Sequence, residues 1–125
     1  MHDDPYAWAA ELSKQEEAAF AEARRRFGKG PNAERLHVLR TAARRLRSLY
    51  EDLGTLLASP DQARLRRFGK RAGAARDAHV LRLILKSTLE PSERDLVAPL
   101  LHMLRVRERK AVRRVRRTLE RYPEL

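Results

Sequence analysis

Along most of the chain, apolar residues recur at intervals of three and four, the spacing of an amphipathic α-helix. No stretch alternates in the manner of a half-buried strand. The pattern predicts four helical segments. The first starts at residue 5 or 6 and ends at 27, with Trp8, Leu12, Ala19, Phe20, Ala23 and Phe27 as its apolar positions. Gly28, Lys29, Gly30 and Pro31 stop it. The second covers residues 32–57, with Asn32 as N-cap and a break at Ser59 and Pro60. The third begins at residue 60 or 61 and ends at 89, where Glu90, Pro91 and Ser92 interrupt it. Gly69 and Gly73 fall inside it, each costing about 1 kcal/mol against alanine, so a close helix contact or a kink is expected there. The fourth covers residues 92–122, capped by Ser92 and kinked at Pro99. Short connections between long helices predict an antiparallel four-helix bundle, all-α, in one domain spanning residues 1–125.

Seen end on at 100° per residue, the second segment has two stripes. Leu36, Leu39, Ala43, Leu46, Tyr50, Leu53 and Leu57 share a core sector. Beside it, not opposite, lie His37, Arg40, Arg44 and Arg47 at the i, i+3, i+7, i+10 positions, while Arg45 points further away. A stripe next to the core borders a neighbouring helix and forms one wall of a groove. The fourth segment repeats the plan. Leu100, Leu101, Leu104, Ala111, Val112, Val115 and Leu119 form its apolar side, with His102, Arg105, Arg109, Arg113 and Arg116 along the flank. His-x-Leu-Arg-x₃-Arg-basic occurs in both, from His37 and from His102. Trp8, Phe20, Phe27, Phe68 and Tyr50 read as core, and aromatics are too sparse for base stacking on single-stranded nucleic acid.

Charge sharpens this picture. Twenty-eight Lys and Arg against 17 Asp and Glu leave a formal +11 on 125 residues. Arginine far outnumbers lysine, and its planar fork of donors matches phosphate oxygens. Like charges at i, i+4 repel by about 0.2–0.5 kcal/mol per pair, and a polyanion laid along the stripe relieves that repulsion. The competing reading is a solvated, salt-bridged surface. There is no Gly-rich phosphate loop for a mononucleotide and no acidic cluster for a catalytic divalent metal, so no enzyme activity, cofactor or metal is expected. The absence of cysteine fits a reducing compartment, and no apolar run reaches membrane-spanning length. A cytoplasmic protein with no membrane association is the expectation.

The string His37-x-x-Arg40-x-x-x-Arg44-Arg45-Leu46-Arg47, followed by Gly73-Ala74-Ala75-Arg76-Asp77-Ala78-His79-Val80, resembles the CHAD family, the conserved histidine α-helical domain. The likeness covers residues 33–80, with looser agreement at Arg105, Arg109 and Arg113. It implies a bundle like one half of a CHAD domain and a non-catalytic module binding inorganic polyphosphate, located at polyphosphate granules. It also implies a polyphosphate site made of His37, Arg40, Arg44, Arg45, Arg47, Arg76, Arg105, Arg109 and Arg113. The family's usual domain has two related bundles. A chain with one is therefore expected to form a symmetric homodimer. Three departures stand out: the single bundle, Ala72 where leucine is usual, and His79 where an acid is common. Nucleic acid is the alternative partner, although no helix-turn-helix spacing appears.

Overall fold

Asp4 opens the first helix by accepting a hydrogen bond from the Tyr6 backbone N–H at 2.9 Å, with Pro5 in the first turn, where its missing N–H is not needed. In this computed structural model, which describes residues 4–54, 56 and 62–121, five helices follow one another: α1 (Pro5–Lys29), α2 (Ala33–Asp52), α3 (Gln62–Thr88), α4 (Pro91–Leu96) and α5 (Ala98–Arg121). No strand occurs among the described residues. The fold is all-α, as the periodicity predicts. Leu57, Ser59, Pro60 and Tyr122, at the expected ends of segments, lie outside the described residues, as do residues 1–3 and 61.

The turn between α1 and α2 is held from both sides. The Asn32 side chain accepts from the Arg35 N–H at 2.8 Å, which is the expected cap. The Arg35 guanidinium donates back to the Gly30 carbonyl at 3.0 Å. A Cβ at position 30 would fall on that guanidinium, so glycine is what lets Arg35 close the turn.

The fourth predicted segment departs from expectation. It is two helices, α4 and α5, broken at Val97. Pro99 stands second in α5, where it cannot donate to a carbonyl one turn back and its ring would clash with that carbonyl. The chain therefore breaks rather than kinks. Ser92 is not a cap either. Pro91 starts α4, with Glu90 in the cap position and no side-chain hydrogen bond there.

Packing follows chain order: α1 against α2, α2 against α3, α3 against α5. One apolar cluster joins all four, with Phe20 and Phe27 from α1, Leu39, Leu46 and Tyr50 from α2, Phe68 and Ala72 from α3, and Val115 and Leu119 from α5. Phe20 and Phe68 meet edge to face, with ring centres 6.1 Å apart. Truncating either to alanine is expected to cost about 3–5 kcal/mol. Tyr50 is buried, as expected, and donates to Glu17 at 2.5 Å, while Ser13 donates to the same carboxylate oxygen at 3.1 Å. Burial, reinforced by Glu17, pushes the Tyr50 hydroxyl up to about 12. Trp8 does not join the core and stays 41% exposed. Ser13 and Glu17 are level with Tyr50, and α2 ends at Asp52, so the opposing helix runs out before Trp8.

Candidate functional site

The α2 stripe and one flank of α3 enclose a groove of about 510 Å³. Arg40, Arg44 and Arg47 come from α2, and Arg66 and Lys70 from α3. The wheel position of the α2 arginines, beside the core and not opposite it, puts them against α3. Leu65 and Ala43 border the groove where it meets the core. Gly69 and Gly73 lie between the cationic positions. Neither glycine is demanded by a close helix contact. A Cβ at Gly69 would meet nothing within 4 Å, and one at Gly73 would touch only the Arg40 guanidinium at 3.9 Å. Their missing side chains widen the groove instead, and α3 runs through them without interruption.

The electrostatics of the groove are lopsided. Among the described residues, its only lining acid is Asp77. Glu51 stands at one end, 3.7 Å from Arg47 and 3.5 Å from Arg66, longer than hydrogen bonds. The buried Arg47 Nε has no hydrogen-bond acceptor. A buried donor without a partner costs about 1–3 kcal/mol, which an incoming anionic oxygen would recover. The acids of α1 are used elsewhere. On α1, Glu16 pairs with Arg45 at 3.3 Å, and Glu22 pairs with Arg25 and Arg26 at 2.6 and 3.0 Å. Those two guanidinium hydrogen bonds hold the Glu22 carboxyl down to about 2.

The remaining expected site residues spread over the molecule. His37 is exposed, one turn before Arg40 on α2, and outside the groove lining. Arg45 faces α1, where it pairs with Glu16. Arg76 is half-buried and outside the lining, and it makes no ion pair with Asp77, because consecutive helical residues diverge by 100°. Arg105 is exposed on α5.

Arg109 and Arg113 line a second concavity, of about 550 Å³, between α3, α5 and the start of α2. Its polar centre was not apparent from the sequence. Glu108 takes hydrogen bonds from Arg82 Nε at 2.8 Å and meets His79 Nδ1 at 2.8 Å. All three side chains are at most 16% exposed. Burial by itself would raise the Glu108 carboxyl, but the Arg82 and His79 hydrogen bonds outweigh it and hold that carboxyl below its ordinary value. His79 and Asp77 face different concavities, which agrees with their two-residue spacing.

Among the described residues, no group of three or more His, Asp or Glu side chains is placed to hold a metal ion. No helix there is long and apolar enough to cross a membrane.

The architecture and the groove define a helical-bundle domain with an arginine-lined interhelical cleft. The CHAD domain family model matches residues 9–123, nearly the whole chain, and the protein belongs to that family. Comparison with curated proteins and with solved structures returns no match.

Proposed function

We propose that this protein binds inorganic polyphosphate, with the α2–α3 groove as the principal seat of the chain. Members of the CHAD family bind polyphosphate, and family membership supplies the ligand class. The observation that carries the reading is the groove itself: Arg40, Arg44, Arg47, Arg66 and Lys70 line one cleft against, among the described residues, one lining acid, Asp77, with Glu51 at its end. Arg40 to Arg47 spans about 10 Å of helix, a ladder suited to successive phosphoryl groups and longer than one orthophosphate needs. Guanidinium forks bind phosphate oxygens in pairs, and Arg47 Nε supplies a donor already stripped of water. The groove offers donors without a paired acid and base, which favours binding over turnover. Arg109 and Arg113 serve as a second, separate patch on the far side of α3 that a long polymer reaches and a short one does not.

Titration of the protein with long polyphosphate, triphosphate and duplex DNA at one salt concentration tests this. Long polyphosphate is expected to bind tightest, triphosphate more weakly, and affinity is expected to fall steeply as salt rises, because each neutralised phosphate releases condensed counterions. Tighter binding of duplex DNA at matched salt would overturn the reading in favour of nucleic acid.

A further inference from the structure

Beyond the level of the α1–α2 turn, α3 and α5 continue together as a two-helix arm tipped by α4. Pro31, Asn32 and Ala33 mark that level, since they share a concavity with His79 and Glu108. The arm's interior is thin: Leu104 is buried, and Leu85, Leu89, Val97 and Leu101 are only half-buried. Along the chain, the next buried hydrophobic residue after Ala75 is Leu104. No residue of the arm belongs to the apolar cluster that joins the other helices.

Its outside is apolar instead. Six of the nine exposed large hydrophobics among the described residues fall here: Leu81, Leu83, Ile84, Leu96, Leu100 and Met103. Leu96 is 82% exposed. Leu81 and Ile84 share one face of α3 by their i, i+3 spacing, as Leu100 and Met103 do on α5. Such a concentration is unlike the scattered single exposures of an ordinary surface. A helical hairpin presents two apolar faces and has no third element to cover them, whereas two hairpins side by side make a four-helix bundle.

Charge selects the occupant. Residues 81–104, which hold every residue of the contact, carry Arg82, Lys86 and Arg94 against Glu90, Glu93 and Asp95, a formal charge of zero in a chain of +11. Along the arm the charges nearly cancel where the exposed apolar surface is largest, so two copies can meet there without repulsion. We infer that the arm is a self-association surface. Two copies pack their α3–α5 arms about a twofold axis, with Leu81, Ile84, Leu100 and Met103 at the contact. A closed isologous contact of this kind uses the same surface on both copies, which is how the exposed side chains of each would cover those of the other. This inference is independent of the polyphosphate reading.

Light scattering on the ligand-free protein, well above micromolar concentration, should give twice the 14.5 kDa chain mass. Leu81→Glu with Ile84→Glu places charges on exposed positions, so helicity and long-polyphosphate binding per chain should be kept. The dimer dissociation constant should rise by at least about 30-fold, as expected when two central contacts are lost. The chain has no cysteine, so Ile84→Cys alone provides a second readout: under mild oxidation it should form a disulfide-linked dimer, and a cysteine at exposed Arg45 should not. A monomeric parent, or a glutamate variant that dimerises as well as the parent, would overturn the inference.

Discussion

Arg47 is positioned by packing and left unsatisfied by it. Its side chain lies between α2 and α3, and its Nε has no acceptor, while Arg45, two residues before it, is neutralised by Glu16 on the other side of α2. The helical period was enough to separate these two, since it sets direction for every residue of a regular helix. It could not show that Gly69 and Gly73 would lie opposite the arginines, because that depends on how α2 and α3 are registered against each other. The glycines give a test at the same scale. At Gly69 a methyl group meets open space, so Gly69→Ala should raise stability by about 1 kcal/mol, read by thermal or denaturant unfolding. Gly69→Leu should remain folded but fill the groove, weakening polyphosphate binding several-fold where Gly69→Ala has little effect. Equal binding by the leucine variant would mean that ligand does not enter between the glycines.

At the scale of elements, the decisive feature is the change in the α3–α5 seam. It is mostly apolar where Leu65, Phe68, Ala72 and Ala75 meet Val115 and Leu119, with Arg71 donating to the buried Thr118 hydroxyl, then becomes a polar cluster of His79, Arg82 and Glu108. The helices themselves could be read from periodicity and capping residues. The cluster could not, because Glu108 lies 26 residues from Arg82 in sequence and looks like one more surface acid. The break between α4 and α5 needed only local chemistry, the clash a proline makes one turn back. A stability prediction follows from Glu108. Its carboxyl titrates lower in the folded protein than in the unfolded chain, so its stabilising contribution is present above the ordinary carboxylate range and is lost as pH falls through the folded value. Glu108→Gln should therefore destabilise the protein at neutral pH by about 1–3 kcal/mol, the usual cost of weakening a buried charged hydrogen bond. The difference between variant and parent should shrink as the solution is acidified. A constant gap in melting temperature from pH 7 to pH 3 would show that Glu108 is not held by its ionised pairing.

Across the whole molecule, charge is sorted and not merely abundant. The acids of α1 neutralise that side of the bundle, the tip around α4 is slightly negative, and the groove between α2 and α3 keeps its cations. Net charge alone pointed to a polyanion but not to a face. The α5 arginines, grouped with those of α2 by their similar sequence pattern, turn out to line a different concavity. Pattern similarity between two helices carries no information about whether they are neighbours, and α2 packs on α1 and α3 instead. The two patches should therefore act separately. The most direct test of the central claim is calorimetric titration of long polyphosphate into the parent and into Arg40→Ala/Arg44→Ala/Arg47→Ala at one salt concentration, with Arg45→Ala as a charge-matched control per residue removed. Alanine favours helix and these positions flank the core, so folding should be preserved. The triple variant should lose at least about 10-fold in affinity, corresponding to 1.4 kcal/mol or more, and Arg45→Ala should change it little. A triple variant that binds as tightly as the parent would contradict that claim.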